Sequence, residues 1–164
     1  MKKRFLSLAF MLIFGISLGL ISKYLDYNAL ILGNMFSETG IWVLICVIIS
    51  VNSRDGLSAA TNILPFCLGM LISYYIATIW TGGVYLKSIA FGWTVVAFLA
   101  APASYIVRVS KNDEGFGTAV STLVLLGNIC LHLLLFGRFH IYDIFINAAL
   151  IYLLFIYKKA YTKE

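Results

Sequence analysis

Charge is what this 164-residue sequence has least of. Only 12% of its residues are Asp, Glu, Lys or Arg, against about a quarter in a soluble domain. That scarcity excludes a second, water-soluble domain. Histidine and proline are scarcer still, with two residues each. Three cysteines, Cys46, Cys67 and Cys130, fall in separate apolar runs with no C-x-x-C pair. This excludes zinc-finger spacing and a thioredoxin-like redox pair, and the three read as small buried hydrophobes. Also absent are a G-x-S-x-G nucleophile elbow, an H-E-x-x-H zinc helix and an ATP-binding P-loop. With His132 and His140 expected at different depths, no set of three or four metal ligands comes together. The sequence therefore predicts no enzyme, no catalytic residue, no metal site and no cofactor.

What the sequence does have is apolar length, with 62% hydrophobic residues. A helical bilayer crossing takes about 20 mostly apolar residues. The apolar runs predict crossings at about 5–22, 38–52, 59–80, 88–107, 119–136 and 143–157, separated by "NSRDG", "TGG", "RVSKNDEGFG" and "GRFHIYD". They are continuous rather than alternating, which argues against a β-barrel. The expected fold class is all-α: residues 1–164 form one integral membrane bundle of about six transmembrane helices in contact with lipid.

Lys and Arg orient the bundle. With the N-terminus inside, the inner side holds Lys2, Lys3, Arg4, Arg54, Arg108, Lys111, Lys158, Lys159 and Lys163. The outer side holds Lys23, Lys87 and Arg138. Both termini are thus expected to be cytoplasmic. The net charge of +5 reads as topology, with no nucleic-acid partner. "MKKRFLSLAFMLIFGISLGLIS" lacks an A-x-A-like cleavage site, so it reads as an uncleaved first helix.

Between membrane helices, small residues mark close approach. Gly15 and Gly19 form a G-x-x-x-G in the first run, and Gly69, Ser73 and Ala77 recur every fourth residue in the third. Either they pack one bundle together, or the first helix offers Gly15 and Gly19 to a partner. Buried polar groups need partners in lipid. Ser121, Asn128 and His132 share one helical face at i, i+7 and i+11, as do Asn62, Gly69 and Ser73. With Asn147, these residues form either a hydrogen-bond network between helices or a polar pocket. No acidic residue is expected deep in the bilayer: Asp26, Glu38 and Asp143 fall at the outer edge. That argues against a buried carboxylate proton relay.

The segment "YLDYNALILGNMFSETG", residues 24–40, is too apolar for an ordinary loop and too polar to cross comfortably. It is expected either to cap an outward pocket, with Asp26, Asn34 and Glu38 at the mouth, or to tether and lengthen the second helix. Two inner loops look alike: "SRDGLSAATNIL" and "NDEGFGTAVSTL" align Gly56 with Gly115 and Asp55 with Glu114. This suits either an internal repeat or shared turn chemistry.

The stretch "IWVLICVIISVNSRDGLSAATNILPFCLGMLISYY", residues 41–75, resembles a family of small bacterial multi-pass membrane proteins to which no function is assigned. The architecture is also similar to the substrate-binding subunits of energy-coupling-factor vitamin transporters. Those subunits dock a partner through small residues on the first helix and cap their pocket with the first outer loop. The resemblances imply a bacterial cytoplasmic membrane. Two readings stand. In one, the chain binds or helps transport a small molecule through Asn62, Asn128, His132, Asn147, Asp26, Asn34 and Glu38. In the other, it is a non-transporting partner that regulates or assembles another membrane complex through Gly15, Gly19, Arg54 and Arg108.

Overall fold

A computed structural model describes residues 2–28 and 30–157, with side chains except at 2–6 and 30. Lys158, Lys159 and Lys163, on which the expected cytoplasmic C-terminus partly rests, lie outside the described residues, as do the side chains of Lys2, Lys3 and Arg4. All regular structure among the described residues is helical: α1 Lys2–Asn28, α2 Leu30–Ser37, α3 Thr39–Asn52, α4 Gly56–Trp80, α5 Lys87–Ser110, α6 Glu114–Phe136 and α7 Ile141–Ile151. A π-helical turn, Tyr152–Ile156, continues α7. Ser7–Asn28, Gly56–Trp80, Lys87–Ser110 and Glu114–Phe136 are each long and apolar enough to cross a membrane. A fifth crossing follows if Ile31–Ser37 and Thr39–Asn52, flanking a break at Glu38, form one span. The last apolar helix, Ile141–Ile156, is shorter.

Aspartates start two of the helices. Asp55 Oδ1 accepts from Ser58 N at 2.7 Å before α4, and Asp113 Oδ1 accepts from Phe116 N at 2.9 Å before α6. Each carboxylate satisfies an orphan N–H and meets the positive end of the helix dipole. The equivalence between the two inner loops is thus Asp55 with Asp113, one residue off the alignment with Glu114.

The residues separate into two compact units: Met1–Ser37 with Ala60–Ala103, and Glu38–Ala59 with Ser104–Glu164. In the first unit, glycine lets α1 and α4 touch backbone to backbone. A Cβ on Gly15 would run into the Phe66 carbonyl, and one on Gly19 into Met70 O and Ser73 Oγ. From the other side, a Cβ on Gly69 would lie 2.7 Å from Leu12 O. Ser7 Oγ donates to Asn62 Oδ1 at 3.0 Å across the same crossing. The face offered by Gly15 and Gly19 is therefore taken up inside the chain.

In the segment 24–40, helix α2 folds back on α1, brought close by Gly33, whose missing Cβ would meet Leu25 O and Asp26 Cα at 2.8 Å. Asp26 closes the hairpin, accepting from Lys23 Nζ at 3.1 Å, Ser37 Oγ at 3.3 Å and Tyr74 OH at 3.3 Å.

In the second unit, α3, α6, α7 and the π-turn pack together. Ser50 and Ser104 hydroxyls meet at 2.6 Å. Arg108, 3% exposed, donates through Nε to Ser53 O and through Nη2 to Arg54 O, each at 2.7 Å. It thereby supplies charged donors to the end of α3, where carbonyls lack helical partners. Arg108 is thus engaged within the chain, and the Arg54 side chain is exposed. At the π-turn, Lys111 Nζ donates to Leu153 O at 2.9 Å and also to Leu154 O. Ser121 Oγ adds a bond to Leu154 O at 3.2 Å. Burial at this turn lowers the Lys111 ammonium pKa.

Candidate functional site

Three helix ends in the second unit converge on one polar cluster. Glu38 is the residue at which the chain leaves helical geometry before α3, with φ −95° and ψ 160°. His132 sits one turn before the end of α6. That helix stops at Gly137, which takes the left-handed conformation (φ 67°) and returns its N–H to Leu133 O. The αL cap suits glycine because a Cβ would clash there, and it turns the chain back toward α7. His140 is the N-cap of α7, and Asp143 stands in its first turn, accepting from His140 N at 2.7 Å.

The side chains then meet. His132 Nε2 lies 3.3 Å from Asp143 Oδ2 and 3.9 Å from Glu38 Oε2. His140 Nδ1 lies 3.4 Å from Glu38 Oε1 and 3.8 Å from Asp143 Oδ2. One ligand-type atom from each residue can be chosen so that all four fall within 4.8 Å of one another. Tyr142 ties the group together, donating to Glu38 Oε2 at 2.7 Å and lying 3.0 Å from His140 Nδ1. His132 Nε2 also faces Arg138 O at 3.1 Å, and its ring packs on Phe136 and Phe139 at centroid distances of 5.2 Å. Glu38 is 5% exposed, and His132 and Asp143 are 2% exposed. Buried charge is costly unless paired, so the two carboxyl groups need either compensating positive charge or protons of their own at this spot.

This overturns one expectation. The sequence reading gathers no set of three or four ligand-type residues. The structure gathers four and buries both carboxylates. The reason is the tight turn after α6: it brings His140 back beside His132, while Glu38 enters from the distant start of α3.

Asn128 lies one turn from His132 on the same face of α6, and Ser121, Asn128 and His132 are all buried. Asn128 Nδ2 donates to Asn147 Oδ1 at 3.3 Å, and Asn147 Nδ2 to Asp143 O at 2.8 Å. Among the described residues, two buried side-chain oxygens have no hydrogen-bond partner, the Asn128 Oδ1 carbonyl and the Thr39 Oγ1 hydroxyl. An orphaned buried group costs about 1–3 kcal/mol.

Of the residues expected to bind a ligand, Glu38, Asn128, His132 and Asn147 come together here. Asn62 is bonded to Ser7, and Asp26 to Lys23, Ser37 and Tyr74, in the other unit. Asn34 is exposed on α2. His140, Tyr142 and Asp143 were missed as site residues. Their signal was "HIYD", in which a capping residue and an acidic residue three positions on mark a helix start. Surface cavities of about 470 and 440 Å³ border the turns around Lys111–Glu114 and Arg54–Leu57. Neither is lined by a residue of the cluster.

Comparison with protein-family models, with curated proteins and with solved structures finds no match. The cluster itself is what the functional argument rests on.

Proposed function

We propose that this chain is a bacterial cytoplasmic-membrane protein that binds, and helps to move, a small polar or ionic solute at the Glu38–His132–His140–Asp143 cluster. In this reading all six apolar segments cross the bilayer, the shorter Ile141–Ile156 helix included, and both termini are cytoplasmic. The excess of Lys and Arg in the loops assigned to the inner side supports that orientation.

One observation carries the proposal: two carboxylates and an imidazole, each at least 95% buried, converge where three helices end. Ionisable groups buried within a membrane protein are expensive, and they mark solute or ion pathways. The orphan acceptors of Asn128 and Thr39 support a polar occupant. The reading as a partner-docking protein loses Gly15, Gly19 and Arg108 to contacts within the chain.

The test is native mass spectrometry of the protein in mild detergent, purified from its own host, beside His132→Ala and Asn128→Ala. A bound solute present in the wild type and lost from both variants is the expected result. A wild type that carries only a protein partner would refute the proposal.

A further inference from the structure

We propose that Glu38, His132, His140 and Asp143 form a binding site for one divalent transition-metal ion, with Zn²⁺ the best-fitting species. This names the solute class of the site proposed above and rests on that reading.

Donor chemistry comes first. Two imidazole nitrogens and two carboxylate oxygens face one point. Imidazole suits zinc and its neighbours in the first transition row, whereas Mg²⁺ and Ca²⁺ select all-oxygen shells. No thiolate or thioether belongs to the set, which disfavours Cu(I).

Geometry agrees. Zinc binds nitrogen and oxygen at about 2.0–2.2 Å, so donors at the corners of a tetrahedron lie roughly 3.4 Å apart. Four nitrogen–oxygen distances are 3.3, 3.4, 3.8 and 3.9 Å, Glu38 entering one through Oε1 and another through Oε2. One donor atom from each residue lies within 4.8 Å of the other three, so side-chain rotations that draw the donors in by up to about 1.4 Å close the shell. His132 Nε2 would turn its lone pair to the metal and give up Arg138 O.

Charge agrees as well. Two buried carboxylates are neutralised by one divalent ion while both imidazoles stay uncharged, the form in which they ligate. The other ways to neutralise them are to protonate the histidines or the carboxylates themselves, and the experiment separates metal from protons.

The supporting residues resemble those of a metal centre. Ligating carboxylates are normally held by further hydrogen bonds. Tyr142 OH holds Glu38 Oε2, and the His140 N–H holds Asp143 Oδ2. Tyr142 is a positioning residue here, and the orphan Asn128 Oδ1 and Thr39 Oγ1 belong to residues flanking the ligands.

The experiment uses the full chain in detergent, stripped with chelator and titrated with Co²⁺, then with Zn²⁺. Visible absorption reads the cobalt coordination, and elemental analysis reads the stoichiometry. The expected result is saturation at one ion per chain, with absorption typical of four-coordinate nitrogen–oxygen cobalt, displaced by Zn²⁺. His140→Gln, at a partly exposed position, should abolish uptake while the helical circular dichroism is retained. His132→Ala should do the same. Tyr142→Phe should weaken binding roughly 10- to 100-fold. Should the histidine variants fail to fold, the wild-type titration decides alone. The proposal is overturned if the folded wild type takes up no saturable metal, or if uptake survives both histidine changes. A metal-free chain that still carries another solute in native mass spectrometry would overturn this inference and leave the proposed function standing.

Discussion

Replacing Gly69 by Ala tests the close crossing of α1 and α4. The added Cβ would stand 2.7 Å from Leu12 O, 3.1 Å from Leu12 Cδ1 and 3.3 Å from Ile16 N. Ordinary contact begins near 3.4 Å, so the helices must part by about 0.7 Å because Leu12 O is backbone and cannot swing away. A gap of about 0.5–1 Å forfeits a quarter to a half of each dispersion contact along the crossing, at about 0.1–0.2 kcal/mol per atom pair. Over some tens of pairs the loss comes to about 2 kcal/mol, in the range found for overpacked cores. Ala offsets about 1 kcal/mol of this through its better helix propensity. The net expectation is a destabilisation of about 1 kcal/mol for Gly69→Ala. For Gly15→Ala and Gly19→Ala, whose clashes are closer, it is larger. Gly92→Ala on α5 is the control: nothing lies within 4 Å of its Cβ position, so only the propensity gain remains. Reversible unfolding in mixed micelles with increasing denaturing detergent measures all four. Because one opening of the crossing relieves every clash, the double change Gly15→Ala with Gly69→Ala should cost less than the sum. If Gly69→Ala and Gly92→Ala shift stability equally, the argument is wrong.

Other substitutions probe the second unit. Arg108→Lys should cost about 1.5–3 kcal/mol in the same unfolding assay, because an ammonium cannot reach Ser53 O and Arg54 O as the guanidinium fork does. Arg108→Lys stability equal to wild type would mean that the end of α3 needs no such donor. Lys111→Met should free the carbonyls of Leu153 and Leu154 and speed amide exchange across residues 152–157, corresponding to about 1 kcal/mol of local stability; unchanged exchange would refute the role given to the ammonium. Asn128→Leu removes the orphan acceptor but also the long 3.3 Å bond to Asn147 Oδ1, two effects of about 1 kcal/mol and opposite sign, so the fold should be about as stable as the wild type while solute binding falls. Such a trade marks a group kept for function, and a variant that lost stability but bound normally would argue against it.

Helix positions were legible because the physics that sets them is local. Apolar length placed α4, α5 and α6. The polar face of α6 could be read from spacing alone, since Ser121, Asn128 and His132 recur with the helical period. The cluster was only half legible. Glu38 and Asp143 were both expected at the outer edge, and His132 lies one turn from the end of its helix, so three of the four residues were near one depth. What the spacing could not supply is lateral neighbourhood, that is, which helix ends stand side by side. Nor could G-x-x-x-G say whose backbone it would meet. Both depend on tertiary packing, which short-range patterns do not encode.

The layout of the cluster sets an order for its assembly during synthesis. His132, His140 and Asp143 lie within a single helical hairpin and emerge almost together, whereas Tyr142 and its bonding partner Glu38 are 104 positions apart. Glu38 therefore emerges with α3 long before its partners exist. Until α6 and α7 follow, an ionised carboxylate there has to stay near water, since an unpaired charge in hydrocarbon is strongly disfavoured. Closure of the cluster is then a late, long-range step, the kind that is slow because its loop must be ordered before any contact compensates. Interrupted synthesis before α7 would leave a chain with an exposed acidic handle, which membrane quality control could recognise.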